Sequence, residues 1–190
     1  MSINAFTCPT CDDQLQEMSF NDCAPELLDN GILYLLLARP DQPFSNIEDP
    51  AEHSERTSNT SSASNAVRRL KGVGSYSHEF GDSYTIGRDT YYNKNTGTLV
   101  FKIYDNNATN YEFMRSLGCN TQYLAWPIDS QGNIYGGNDG IKVVLQGREN
   151  ITESVDEKKF IEVQGQHKYK NAPPRDTYAL AGDIDLDGNV

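Results

Sequence analysis

Alternation of apolar and polar side chains with a period of two most limits what this chain can fold into. In "TGTLVFKIYD", residues 96–105, the side chains of Leu99, Phe101 and Ile103 fall on one face and polar neighbours alternate with them. The segment 158–170, "KKFIEVQGQHKYK", repeats the pattern. Because successive side chains of a strand point to opposite faces of its sheet, both segments are predicted to be strands with one buried face.

Other segments add strands of two kinds. "GILYLLLARP", residues 31–40, crowds apolar side chains over consecutive positions, which is typical of a strand buried on both faces. "GVGSYSHEF" and "DSYTIGRDTYYNK" are rich in Tyr, Thr and Ser, as half-exposed strands are. Together with "QYLAWPID" and "IKVVLQG", these segments predict a mainly β fold.

One short helix is expected between two of the strands. Thr109 and Glu112 have the spacing of a capping box, and Phe113, Met114 and Leu117 form an apolar stripe behind it. A helix of about two turns is unstable alone. We therefore expect it to lie on the sheet, with its stripe above the apolar face of the 96–105 strand.

Residues 40–66 differ in composition from the rest of the chain. Three prolines are followed by a run rich in Ser and Thr, "PDQPFSNIEDPAEHSERTSNTSSASN". A connection this long without secondary structure is usually functional or disordered. The segment is predicted to be a long polar arm, either a flexible loop or an arm that becomes ordered against a neighbouring subunit.

The chain is acidic, and its charge limits the partners it can bind. Its 190 residues carry a formal net charge of −11, and 37% of them are hydrophobic. An acidic surface is unsuited to binding the outside of a nucleic acid, although it would suit a passage through which DNA slides. The N-terminal residues lack the charge and apolar run of a signal peptide, and no apolar run reaches the roughly 20 residues that span a bilayer.

Two groups of residues are candidates for metal binding. The four cysteines, of which the first two are spaced Cys-x-x-Cys, match the number of thiolates in a structural zinc site. A disulfide formed outside a reducing cytoplasm and four reduced thiols remain alternatives. These cysteines are Cys8, Cys11, Cys23 and Cys119.

The closing "GDIDLDGN" resembles the first half of a calcium-binding loop. Asp183, Asp185 and Asp187 occupy the first, third and fifth positions, and Gly188 follows where such loops turn sharply. The chain has no glutamate at the twelfth position. The segment therefore predicts either a partial calcium site or a solvated acidic tail.

Catalytic motifs are lacking in the sequence. His53, His78 and His167 are scattered, and each is expected to be structural or at the surface. No phosphate-binding loop, nucleophile elbow or dinucleotide fingerprint occurs. We expect no enzymatic activity and no obligatory cofactor.

The segments "TGTLVFKIYDNNATNYEFMRSLGCN", residues 96–120, and "YLAWPIDSQGNIYGGNDGIKVVL", residues 123–145, carry a further signal. They resemble a family of small virion proteins of tailed phages and prophages of Bacteroidetes, namely tail-tube or tail-ring subunits. The resemblance covers roughly residues 20–38 and 70–172, and its motifs are turn and packing residues. In the family pattern a strand ends in Asp, "ATN-x-x-F-x-x-L" follows, and "D-x-x-G-x-x-Y/L-G" comes later. The matching residues here are Asp105, Ala108, Thr109, Asn110, Phe113, Leu117, Asp129, Gly132, Tyr135 and Gly136.

The resemblance implies two packed antiparallel sheets, a β-sandwich or half-barrel, with one short flanking helix. It implies a structural subunit that assembles with itself into a ring or tube, expected to be hexameric, and that contacts other tail proteins. DNA would pass non-specifically through the lumen, and no membrane would be involved. The protein would be made in the cytoplasm of the bacterial host and end in the virion tail.

These expectations divide the chain into three parts. A cysteine-containing segment covers residues 1–30, a tail-tube-like β domain with the arm 40–66 covers 31–175, and an acidic tail covers 176–190. The main alternative is a β-sandwich module for surface decoration or receptor binding on the virion, with or without dependence on calcium. In that case the tyrosines and Trp126 would form an aromatic binding platform.

Overall fold

The computed structural model describes residues 31–117, 122–150 and 159–178. Strands dominate these residues, as the alternating patterns predict. The strands are β1 (Ile32–Ala38), β2 (Arg68–Glu79), β3 (Ser83–Ile86), β4 (Asp89–Tyr92), β5 (Asn95–Ile103), β6 (Tyr123–Asp129), β7 (Asn133–Tyr135), β8 (Ile141–Asn150), β9 (Phe160–Tyr169) and β10 (Arg175–Thr177). The helices are α1 (Pro50–Arg56) and α2 (Ala108–Ser116).

Six of the strands close into an antiparallel barrel in the order β1-β2-β5-β9-β8-β6, and β6 pairs back with β1. An even number of strands allows every neighbouring pair to be antiparallel. The expectation of two separate packed sheets is therefore wrong, because β1 joins both edges of what would be an open sheet. Closure removes the exposed strand edges of a half-barrel.

A β-bulge at Leu33 makes β1 a wall shared by two cores. The register shifts between Ile32 and Tyr34 against both neighbouring strands. Against β6 the extra residue is Leu33, whereas against β2 it lies in β2, and Ile32 and Leu35 both lie on the barrel interior while Tyr34 and Leu36 point outward. This explains why an apolar run without alternation forms a strand here, as the sequence predicted.

The interior of the barrel is filled by side chains. The alternation predicted for β5 is confirmed: Leu99, Phe101 and Ile103 are buried, and the residues between them are more exposed. The barrel core consists of Ile32, Leu35, Leu37, Leu99, Phe101, Ile103, Met114, Leu117, Tyr123, Ala125, Ile141, Val143, Leu145, Ile161 and Val163.

A second core lies outside the barrel, against the wall made by β1 and β6. Residues 40–66 supply part of it, because Phe44 and Ile47 are buried there and α1 lies beside them. The expectation of an extended polar arm is therefore not met by this segment, which folds onto the barrel. The outer core consists of Tyr34, Leu36, Ala38, Phe44, Ile47, Val67, Leu124, Trp126, Ile128, Ile134 and Tyr178.

Arg56, at the end of α1, ties the segment 40–66 together. Its guanidinium donates to the backbone oxygens of Pro43 (2.7 Å), Gln42 (2.8 Å) and Asn65 (3.2 Å), and forms an ion pair with Glu52 (2.8 Å). It also lies 4.6 Å from the centre of a phenylalanine ring in the outer core. A buried guanidinium with this many partners holds the two ends of the segment side by side.

The N-terminus of α2 differs from the predicted capping box. Asn107 is the N-cap, and its side-chain oxygen accepts a hydrogen bond from the backbone N–H of Asn110 at 2.9 Å. Thr109 and Glu112 already lie inside the helix, and Glu112 forms an exposed ion pair with Arg115. Asn is as good an N-cap as Thr, so the helix begins earlier than the spacing suggested.

Helix α2 packs on β8 and β9. Met114 and Leu117 belong to the same core as Leu99, Phe101 and Ile103, and the half-buried Phe113 packs against it, but the helix lies mainly over β8 and β9 and not, as the sequence predicted, over the 96–105 strand. The close approach of α2 to β8 requires a glycine in β8 beneath the helix. A Cβ on Gly147 would overlap the side chain of Met114.

The turn between β6 and β7 is organised by Asp129. Its carboxylate accepts hydrogen bonds from the backbone N–H of Gln131 (2.9 Å) and Asn133 (2.8 Å) and from the Tyr135 hydroxyl (2.8 Å). Gly132 takes a positive φ of 81° inside this turn. The motif "D-x-x-G-x-x-Y" is therefore a turn motif.

The C-terminal boundary of the β domain differs slightly from the predicted one. Strand β10 extends to Thr177 and pairs with β7, and Tyr178 is buried in the outer core. Residues 176–178 thus belong to the fold rather than to an acidic tail. In the described part of the chain, neither helix is long and apolar enough to cross a membrane.

Candidate functional site

The residues proposed to bind metals lie outside the described part of the chain. This applies to Cys8, Cys11, Cys23 and Cys119, and also to Asp183, Asp185 and Asp187. The zinc and calcium predictions therefore remain predictions. Among residues 31–117, 122–150 and 159–178, no group of three or more His, Cys, Asp or Glu side chains is arranged to hold a metal ion.

A small hairpin, formed by β3 and β4, extends the β2–β5 connection beyond the barrel. Among the strands of the described residues, its two strands pair only with each other, from Ser83 opposite Tyr92 to Ile86 opposite Asp89. The two-residue loop begins with Gly87, which has a φ of 67°, in the position where tight hairpin turns require glycine. The sequence between two barrel strands thus specifies a separate two-stranded unit.

The hairpin and its base expose large apolar side chains. Phe80 is 95% exposed, Tyr92 75% and Ile86 64%. Tyr84 and Tyr91 face each other across the strands with ring centres 5.7 Å apart, and both are exposed. An isolated two-stranded hairpin is only marginally stable in water, and apolar groups exposed together usually mark a contact surface.

A cluster of two histidines and two tyrosines lies at the end of the barrel from which this hairpin extends. The Tyr76 hydroxyl is hydrogen-bonded to Nε2 of His167, and the Tyr169 hydroxyl to Nδ1 of His78 at 2.7 Å. Gly97 lies between the two histidines in the cross-strand row, paired with both. A Cβ on Gly97 would overlap the imidazole of His167, so the glycine makes room for the cluster.

Burial controls the protonation of this cluster. It lowers the pKa of His167 to about 4, and the neighbouring His78 contributes in the same direction. Burial raises the pKa of Tyr76 far above its usual value of 10.0, with a further contribution from Tyr169. At neutral pH the cluster is therefore uncharged, which suits groups that close the end of a barrel.

A groove of about 290 Å³ opens beside Tyr76 and His78. Among the described residues, Asp129 is the one carboxylate that lines it, and the turn that it organises already occupies both of its oxygens. Within the same part of the chain, the two histidines hydrogen-bond to tyrosine hydroxyls, and neither has a carboxylate hydrogen bond that would orient it as a general base.

Trp126 has a different place from the one proposed in the binding-module alternative. It is fully buried in the outer core, where its Nε1–H donates to the backbone oxygen of Gly137 at 2.8 Å. It cannot contribute to an aromatic platform at the surface. The exposed tyrosines of the hairpin are among those that the same alternative placed on a platform, whereas the exposure of Phe80 and Ile86 was not expected from the sequence; the glycine turn between Tyr-rich strands was a usable signal.

Comparison with known proteins adds no relative: no family model matches the chain, and neither a curated protein nor a solved structure does.

Proposed function

We propose that this protein is a structural subunit that assembles with copies of itself, and that the β3–β4 hairpin is its assembly arm. The observation that carries the proposal is the exposure of Phe80, Ile86 and Tyr92 on a unit too small to be stable alone. Burial against a second copy would stabilise the hairpin and remove these side chains from water.

The sequence resemblance indicates the kind of assembly to which such a subunit would belong. We propose a subunit of a phage tail tube or tail ring, in the virion, with other tail proteins as neighbours and DNA passing non-specifically through the assembly. The barrel interior is filled by apolar side chains, so a channel of this kind would lie between copies and not through one barrel.

Replacement of the exposed apolar side chains tests the assembly arm. In the variant Phe80→Ser, Ile86→Thr, Tyr92→Ser the barrel core is untouched, so far-ultraviolet circular dichroism should match the wild type. Each anchor buried at an interface contributes about 1–2 kcal/mol. We expect the concentration at which half of the protein is assembled, measured by sedimentation velocity, to rise at least ~100-fold.

The matched control is Tyr104→Ser with Tyr111→Ser, which removes two exposed aromatic side chains outside the hairpin. This control should assemble as the wild type does. Normal assembly of the hairpin variant would show that the hairpin is not the assembly arm. A wild type that stays monomeric at every concentration would contradict the proposed function itself.

A further inference from the structure

The outward face of four neighbouring barrel strands is basic, although the chain as a whole carries a net charge of −11. Strands β5, β9 and β8 bury alternate residues, β2 half-buries them, and the residues between face outward. The charged side chains among the outward residues, which we call the lysine face, are the cations Arg69, Lys71, Lys102, Lys142, Arg148 and Lys168 and the anions Glu79 and Glu162, of which Glu162 forms an ion pair with Arg148.

The side chains at the centre of the lysine face are uncharged and can contact a partner. One cross-strand row joins Ser77, Thr98, Gln166 and Val144. A shallow depression of about 290 Å³ lies over β8 and β9 and is lined by Val144, Gln146, Gln164, Gly165 and Gln166. Amide side chains around a depression can hydrogen-bond to a protruding group of a partner, and the surrounding lysines select an acidic one.

The chain also carries the complementary surface. Residues 41–55 contain five carboxylates and no lysine or arginine, and we call these carboxylates the acidic flank: Asp41, Glu48, Asp49, Glu52 and Glu55. Arg56 balances only Glu52. Burial and the nearby carboxylate of Glu48 raise the pKa of Asp176, which indicates negative potential beside this flank.

The two surfaces lie on opposite sides of the barrel. The acidic flank belongs to the segment that covers the β1–β6 wall, whereas the lysine face is centred on β5 and β9. In the closed order β1-β2-β5-β9-β8-β6, β9 lies three strands from β1, and β5 lies three strands from β6. Lys71 and Lys142, at the edges of the lysine face, pair with Tyr34 and Leu124 of the β1–β6 wall, but one copy cannot bring the centres of its own two surfaces together.

We infer that the lysine face of one copy docks on the acidic flank of the next, so that subunits associate head to tail. This inference rests on the proposed self-assembly and specifies which surfaces meet. Two lysine faces repel each other, as do two acidic flanks, so the contact is between unlike surfaces. A contact of this kind leaves one free surface of each type and continues into a ring or a filament.

Neutralised variants separate the two surfaces. The face variant is Lys71→Gln, Lys142→Gln, Lys168→Gln, and the flank variant is Asp41→Asn, Glu48→Gln, Glu55→Gln; all six side chains are exposed. Each variant alone should associate about tenfold or more weakly than the wild type in sedimentation velocity at ~50 mM salt. A mixture of the two should associate more strongly than either variant alone, because the intact flank of the face variant can meet the intact face of the flank variant, and this contact cannot continue beyond a 1:1 pair.

The control variant Lys94→Gln, Arg115→Gln, Lys159→Gln makes the same charge change as the face variant, at exposed cations outside both surfaces, and should assemble like the wild type. Face and flank variants that assemble as the wild type does, while the hairpin variant does not, would overturn the docking and leave the proposed function standing. A monomeric wild type would overturn both. If the face variant loses binding to short duplex DNA but keeps self-association, the lysine face is a nucleic-acid surface instead.

Discussion

His53 and His167 show how single buried side chains make this fold sensitive to pH. His53 is fully buried, its Nε2–H donates to the Ile47 oxygen at 2.7 Å, and Nδ1 has no hydrogen-bond partner among the described residues. Burial lowers the pKa of both histidines below the ordinary value of 6.5. The unfolded chain therefore binds protons more readily than the folded chain, and stability falls as pH falls.

We expect His167 alone to lower the free energy of unfolding by about 2 kcal/mol between pH 7 and pH 5, given a folded pKa of about 4. The stabilisation is complete above the unfolded pKa of 6.5 and is lost progressively below it. Urea unfolding followed by Trp126 fluorescence at several pH values measures the slope.

His167→Gln is the matched variant, since glutamine retains a hydrogen-bonding group without titrating in this range. Its free energy of unfolding should depend less on pH between 7 and 5, although His53 will keep part of the slope. A slope equal to that of the wild type would show that His167 is not the group responsible.

At the scale of an element, the fold of the segment 40–66 depends on one buried cation, the guanidinium of Arg56. Asn138 extends the attachment: its backbone oxygen accepts from the N–H of Phe44 at 3.0 Å, and its side chain accepts from the N–H of Ile47 at 2.8 Å. Removing the Arg56 guanidinium leaves the backbone oxygens that it contacts without a hydrogen-bond donor, and it leaves Glu52 without its cation.

We expect Arg56→Ala to lower the free energy of unfolding by about 3 kcal/mol, as when one partner of a buried ion pair is removed. Hydrogen exchange should accelerate most over residues 42–57. Arg115→Ala is the control, since that exposed arginine on α2 makes one surface ion pair, and it should cost no more than about 0.5 kcal/mol. Equal effects of the two substitutions would contradict the role given to Arg56.

Individual elements were more predictable from the sequence than their arrangement. Alternation specified β5 and β9 because one face of each is buried, and an unbroken apolar run specified β1 because both of its faces are. Barrel closure was not predictable, since it depends on the pairing of β1 with β6, which are distant in sequence. The segment 40–66 appeared polar because its few apolar anchors, Phe44 and Ile47, are far outnumbered by Ser, Thr and carboxylates.

The surface site was predictable only in part, for a related reason. Burial patterns identify side chains that pack within one chain, as Met114 and Leu117 do. They do not distinguish Phe80 and Tyr92 from core residues, because a side chain exposed in one copy has the same apolar character as a buried one. Only the three-dimensional arrangement shows which apolar groups remain uncovered.

At the scale of the whole molecule, three surfaces take part in the proposed assembly. The hairpin, the lysine face and the acidic flank lie on different parts of a closed barrel whose interior is already filled. A subunit of this kind would use its surfaces to contact neighbours and its core only to hold those surfaces in place. The assembly would have a direction, because the lysine face and the acidic flank carry unlike charges.

Negative-stain electron microscopy of the purified protein over a concentration series tests the central claim, self-assembly, most directly. We expect the wild type to form rings or tubes with a central channel as its concentration rises. The variant Phe80→Ser, Ile86→Thr, Tyr92→Ser should not form them. Uniform monomers of the wild type at the highest concentration would contradict the central claim.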